Sequence, residues 1–89
     1  MRAVDPHRVL QGNGRRIAEI RRESRQTQQA FAEGLEISVR YIQFVEGGKE
    51  NLTVETLVKF ANFLRVPVIE LFTPPTKPKA GPGRPKKKA

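Results

Sequence analysis

Several residue types that carry chemistry in proteins are absent or rare here. The 89-residue chain has no cysteine, no tryptophan and a single histidine, His7. Without cysteine, neither a disulfide framework nor a thiolate metal site can form. No serine stands near a histidine base, no carboxylates are paired, and no phosphate-binding glycine loop follows a strand. We therefore expect a protein that is not an enzyme and that holds no metal or cofactor.

Long hydrophobic runs are also missing. No segment approaches the ~20 consecutive apolar residues that a membrane-spanning helix needs, and the first residues lack the apolar core of a signal peptide. We therefore expect a soluble, cytoplasmic protein. A chain of this length is expected to fold as one domain with a modest core.

Acidic residues are confined to the first part of the chain. Six of the 17 basic residues lie from Lys77 onward without any acid, which leaves eleven basic against nine acidic residues in residues 1–73. The whole chain carries a net charge of +8, whereas residues 1–73 carry only +2. This distribution predicts attraction to a polyanion, with nucleic acid as the first candidate and an anionic membrane surface as the second. Five prolines in residues 74–89 predict a disordered or extended tail.

Hydrophobic periodicity predicts an all-α domain of five short helices over residues 14–73, after a partly ordered arm at residues 1–13. Glu19 and Arg16, in the first helix, are expected in solvent. Thr27, Ser38 and Thr53 are expected to cap the second, third and fourth helices. The apolar stripe of the fourth helix comprises Val54, Leu57, Val58, Ala61 and Leu64, and Phe60 widens it.

The third helix, in the segment SVRYIQFVEGG (residues 38–48), has apolar residues on two sides. Ile42 and Val45 form an inward pair, and Gly47-Gly48 ends the helix. Arg40 and Phe44 are four residues apart and point away from that pair, with Gln43 beside them. An outward arginine next to an outward phenylalanine indicates a surface that contacts another molecule.

Two short helices joined by a three-residue turn form the helix-turn-helix pattern. The pattern is accompanied, in order along the chain, by the segments RIAEIR (16–21), TQQAFAE (27–33), ISVRYI (37–42), VEGG (45–48) and NLTVETL (51–57). With these segments, residues 14–72 resemble the Cro/phage-repressor family of DNA-binding domains, also called the xenobiotic-response-element (XRE) family. That family usually has glycine where Glu36 stands, at a positive φ, so the glutamate is expected to cost about 1 kcal/mol.

The resemblance implies that the third helix enters the major groove of DNA, where Arg40 donates two hydrogen bonds to a guanine. It implies a structural pair between Arg21 and Glu46. We further expect Val39, Tyr41 and Phe44 to contact DNA bases. The residues expected to contact the DNA backbone are Gln28, Gln43, Lys49 and Asn51. Packing or ordinary solvation remains the alternative for each of these contacts, and Phe44 in particular is equally suited to a thymine methyl group and to packing.

The tail contains Gly-Arg-Pro followed by Lys86, Lys87 and Lys88, which resembles an AT-hook. In that interpretation Arg84 lies along the floor of an A·T-rich minor groove. Pro82 stands where a complete hook usually has a basic residue. A polybasic tail that contacts only phosphates is the alternative interpretation.

Together these features predict a sequence-specific transcriptional regulator that binds double-stranded DNA as a homodimer and is associated with the nucleoid. Restriction–modification controller proteins fall within this class. The alternatives are an antitoxin that binds a toxin partner and a weakly specific architectural DNA-binding protein. The expected dimer surface joins the last two helices and comprises Phe63, Val66, Val68, Ile69 and Phe72.

Overall fold

A computed structural model describes residues 3–76 of the protein. Within these residues there are four α-helices, one 3-10 helix and no strand, so the all-helical prediction is confirmed. The closing element is a 3-10 helix, and a count of five α-helices is therefore not confirmed. The elements are α1 (Pro6–Glu23), α2 (Gln28–Leu35), α3 (Val39–Glu46), α4 (Val54–Leu64) and the 3-10 helix (Val68–Phe72).

Helix α1 begins at Pro6, well before the predicted start near Gly14. Asp5 caps it, since its Oδ1 accepts the backbone N–H of His7 at 2.9 Å. Pro6 follows in the first helical position, where a missing N–H costs nothing. Gly14 does not interrupt the helix. A Cβ atom there would overlap the carbonyl oxygen of Val45, so glycine lets α1 cross the end of α3 in close contact.

The core lies where the four α-helices and the 3-10 helix meet. The rings of Phe31 and Phe60 lie at its centre, tilted with their centroids 5.5 Å apart. On α4, Phe60 takes part in the buried face, and Val54 and Val58 are exposed by 74% and 37%. The prediction that Val54 and Val58 belong to the buried stripe is therefore wrong. The face of α4 that meets the core comprises Leu57, Phe60, Ala61 and Leu64.

Arg16 and Glu19 were expected in solvent, but they are only 9% and 5% exposed. The 3-10 helix covers this side of α1 and supplies Glu70 as a partner for Arg16. Arg16 donates from Nη1 to Oε1 of Glu19 at 2.7 Å and from Nη2 to Oε1 of Glu70 at 2.6 Å. Its Nε also donates to the backbone carbonyl of Glu70 at 3.1 Å. Helix α1 therefore has two packed sides, one against α3 and one against the 3-10 helix.

Glu19 also holds the segment that follows the 3-10 helix. The N–H of Thr76 donates to both carboxylate oxygens of Glu19 at 3.1 Å, and the Thr76 hydroxyl donates to Oε2 at 2.7 Å. Burial favours the protonated form of this carboxyl. The hydrogen bonds from Thr76 and Arg16 outweigh that effect and lower the pKa of Glu19 to about 2. Thr76 is thereby fixed to α1 through an ionised, buried carboxylate.

Candidate nucleic-acid interface

The turn between α2 and α3 has the geometry that the sequence predicts. Glu36 ends α2 in the left-handed conformation, with φ 61° and ψ 43°, so the positive φ predicted there is confirmed. The N–H of Ile37 then donates to the carbonyl of Ala32 at 3.0 Å, which closes the end of the helix. Ser38 begins α3 at once, since its hydroxyl accepts the N–H of Tyr41 at 3.0 Å.

Three helices meet at the carboxylate of Glu46, in the last turn of α3. Arg21 of α1 donates from Nε to Oε2 at 2.6 Å and from Nη2 to Oε1 at 3.0 Å. Both side chains are 8% exposed, so this is a nearly buried, two-bond ion pair. Gln28 of α2 adds a bond from Nε2 to Oε1 at 3.0 Å. We call Arg21, Glu46 and Gln28 the Glu46 clamp; it fixes α3 to both preceding helices.

The outer face of α3 is formed by Arg40, Gln43 and Phe44, all of which are exposed. Ile42 and Val45, on the opposite face, are 0% and 1% exposed. The guanidinium carbon of Arg40 lies 5.2 Å from the centroid of the Phe44 ring, in a cation–π arrangement. The four-residue spacing predicted that these side chains are neighbours but not that the guanidinium stacks on the ring.

Val39 and Tyr41 lie at the edge of this face. Both are half-buried and pack against the core, which is the packing arrangement that the sequence left open for Tyr41. Tyr41 also lines an open pocket between α3 and α4, together with Ser38 and Lys59. Neither residue is as accessible as Arg40.

The residues expected to contact the DNA backbone lie on α3 or beside it. Lys49 and Asn51 are exposed in the loop that follows it, and Gln28 is half-exposed at the start of α2. The N-terminus of α2 is capped by Thr27, whose hydroxyl accepts the N–H of Ala30 at 3.0 Å. The tail residues predicted to contact DNA lie outside the described residues: Arg84, Lys86, Lys87 and Lys88.

Two other kinds of feature are absent from residues 3–76. No cluster of three histidine, aspartate or glutamate side chains in this range is arranged to bind a metal ion. None of the helices in the same range combines the length and the apolar character needed to cross a membrane.

Comparison with known proteins identifies the family. The family model described as Helix-turn-helix matches residues 17–71. Among solved structures, the restriction–modification controller protein C.AhdI from Aeromonas hydrophila is 28% identical, with a TM-score of 0.67, over 71% of this chain and 96% of that one.

A second structure, of the hypothetical transcription factor NHTF from Neisseria, is 20% identical with a TM-score of 0.72, over 84% of this chain and 86% of that one. At this identity the similarity shows the fold alone. No curated protein matches the sequence significantly. The family match spans more than half of the chain and contains α2, the turn and α3, so the chain belongs to the XRE-type helix-turn-helix family of DNA-binding domains.

Proposed function

We propose that the protein is a sequence-specific transcriptional regulator that binds double-stranded DNA and has neither catalytic activity nor a cofactor. The observation that carries this proposal is an exposed Arg40 on a helix that is fixed at both ends. Ser38 caps the start of α3, and the Glu46 clamp holds its end. A helix held in this way presents its side chains in one orientation, which base recognition requires.

In this proposal α3 lies in the major groove. Arg40 reads a guanine through O6 and N7, and Gln43 contacts DNA beside it. Gln28, Lys49 and Asn51 lie on the elements that flank α3 and contact phosphates, which sets the register of the domain without reading sequence. Val39 and Tyr41 contribute through the part of each side chain that the core does not cover.

Because one such domain reads only a few base pairs, we propose a homodimer on two half-sites about one helical turn apart. Ile69 and Phe72 support this proposal, since they are 68% and 47% exposed at the end of the domain. Ile69→Glu should shift the protein from dimer to monomer in light scattering. Val4→Glu is the matched control, since Val4 is 72% exposed outside the proposed surface.

A restriction–modification controller is the kind of regulator that the similarity to C.AhdI favours. Such a protein would bind a promoter beside genes for a restriction enzyme and its methyltransferase. Mapping the bound sites by immunoprecipitation of genomic DNA tests this directly. Sites scattered over unrelated genes would favour a general regulator instead.

The central experiment compares binding to a selected DNA site with binding to scrambled DNA across a range of salt concentrations. A sequence-specific regulator has a large ratio of the two affinities, and Arg40→Ala should lower it. Gln29→Ala, a change of an exposed residue on α2, is the control. Equal affinity for both DNAs would contradict the proposal and favour an architectural protein, whereas stable co-purification with a toxin would favour an antitoxin.

A further inference from the structure

We infer that Phe44 is a positioning residue for Arg40, so that the preference for guanine depends on the pair and not on the arginine alone. This inference rests on the proposed function, in which Arg40 reads a base. The sequence left two roles open for Phe44, a thymine contact and simple packing. The stacking seen in the structure is neither of these.

The first observation is that the ring is the partner of the guanidinium. The Arg40 guanidinium carbon lies 5.2 Å from the centroid of the Phe44 ring, within the range of a cation–π interaction. All nine acidic residues of the chain lie within residues 3–76, and none of the ion pairs in this range includes Arg40. The ring therefore supplies the contact that a carboxylate supplies for Arg16 and Arg21.

The second observation is where Phe44 lies. It is 37% exposed on the outer face of α3, one helical turn after Arg40, while the inward residues Ile42 and Val45 fill the core. Phe44 does not take part in the hydrophobic core of residues 3–76, so core packing does not explain its position. The role that this position allows is to restrict the side-chain conformations of Arg40.

Stacking suits an arginine that must read a base. The guanidinium donates its hydrogen bonds in its own plane, and a ring against one face leaves the N–H groups at its edge free. Those groups match guanine O6 and N7. A free arginine side chain loses rotamer freedom when it binds, and a ring that already restricts it lowers that loss. Phe44 therefore strengthens the contact without touching DNA.

The test is a double-mutant cycle on a DNA site selected from random duplexes with the wild-type protein. The variants are Phe44→Leu, which keeps an apolar side chain but removes the ring, and Phe44→Tyr, which keeps the ring. Each is made with Arg40 present and in the Arg40→Ala background. Circular dichroism and thermal unfolding show that each variant is folded, and the affinities for selected and scrambled DNA are measured at one salt concentration.

We expect Phe44→Leu to lower the ratio of specific to scrambled affinity by about two- to fivefold, from the usual strength of an exposed cation–π pair. Phe44→Tyr should retain the ratio. In the Arg40→Ala background, Phe44→Leu should have no further effect. Replacing the guanine with 7-deazaguanine, which lacks the N7 acceptor, should likewise remove the effect of Phe44→Leu.

Two results would overturn the inference alone. One is a loss from Phe44→Leu that persists in full in the Arg40→Ala background. The other is a loss that disappears when thymines in the site are replaced by deoxyuridine, since Phe44 would then contact a thymine methyl group. If Arg40→Ala leaves the ratio unchanged, both the inference and the proposed base reading by Arg40 are wrong.

Discussion

Three residues other than glycine adopt a positive φ, and each follows the end of a helix. Arg25, Glu36 and Arg65 have φ values of 62°, 61° and 63° within residues 3–76. In the left-handed conformation a Cβ atom crowds the following carbonyl oxygen, which costs roughly 1–2 kcal/mol relative to glycine. The helix-turn-helix turn therefore holds local strain at Glu36, where the chain leaves α2.

Glu36→Gly should relieve this strain. We expect the free energy of unfolding to rise by up to about 1 kcal/mol, since glycine adopts the same conformation freely but gains more entropy in the unfolded chain. Urea unfolding followed by circular dichroism measures the change. Glu33→Gly is the control, because Glu33 is exposed within α2 and glycine there should cost about 1 kcal/mol. A loss of stability in both variants would show that Glu36 makes a stabilising contact.

The sequence predicts the role of some single residues but not the burial of others. The capping residues Thr27, Ser38 and Thr53 could be predicted because a helix start depends on a few adjacent residues. The burial of Arg16 and Glu19 could not, because Arg16 is paired with a partner 54 positions away, Glu70. In the sequence alone, Arg16 and Glu19 look like residues of an ordinary solvent-exposed helix face. Only the position of the 3-10 helix shows that they are covered.

At the scale of the elements, the position of α3 depends on the Glu46 clamp. Glu46→Ala would leave Arg21 nearly buried without a carboxylate, which typically costs 3–5 kcal/mol. A domain this small has little stability in reserve, so we expect the variant to be largely unfolded in urea titration. Glu23→Ala, at the exposed end of α1, is the control and should change little. A stable Glu46→Ala domain with lost DNA specificity would contradict a structural role for the clamp.

The contact between α1 and the segment after the 3-10 helix depends on pH. The pKa of Glu19 is about 2 in the folded protein and near its ordinary value of 4.5 in the unfolded chain. Its contribution to stability is therefore complete above about pH 5 and is lost as the pH falls towards 2. Between these limits the unfolded chain binds more protons, so the free energy of unfolding should decrease, by on the order of 3 kcal/mol.

Urea unfolding at a series of pH values measures this decrease. Glu19→Gln cannot titrate at this position, so its stability should fall less steeply than that of the wild type over the same interval. Thr76→Val removes the hydroxyl donor to Glu19 and should give an intermediate result. Parallel curves for wild type and Glu19→Gln would show that Glu19 is not the group responsible.

Two elements differ from their predicted form, and each difference has a physical reason. The start of α1 was placed too late because Gly12 and Gly14 weaken a helix locally, while packing against α3 and the 3-10 helix stabilises it as a whole. The closing element is the last of the five helices that the sequence predicts. It spans only five residues and forms 3-10 bonds, such as that from the N–H of Glu70 to the carbonyl of Pro67 at 2.9 Å. Propensity alone does not distinguish the two for so short a segment.

At the scale of the whole molecule, most of the net charge lies outside the described residues. The net charge of +8 lies mainly in the six basic residues after Thr76, whereas residues 1–73 carry +2. Thr76 is bonded to Glu19, so these residues follow a point that is fixed on α1. We propose that the domain provides specificity and that the tail provides most of the long-range attraction to DNA, through phosphates or through an AT-hook-like contact of Arg84.

A chain that ends after Thr76 tests this division of roles. Keeping Thr76 matters, because ending the chain earlier would remove the donors to Glu19 and would confuse a loss of stability with a loss of DNA binding. Each phosphate neutralised by the tail adds ~0.9 to the slope of log affinity against log salt. Removing six basic residues should therefore weaken binding to specific and scrambled DNA alike and flatten the slope by up to about 5.

The full-length chain with the same six residues changed to glutamine is the matched control, since it keeps the length but not the charge. It should behave like the shortened chain if phosphate attraction is the whole contribution of the tail. An AT-hook-like contact predicts an additional, selective loss on A·T-rich sites when Arg84 alone is changed to lysine, because only the narrow minor groove favours arginine in this way. A salt slope that stays unchanged after truncation would leave the tail without a role in DNA binding and would assign the attraction to the domain.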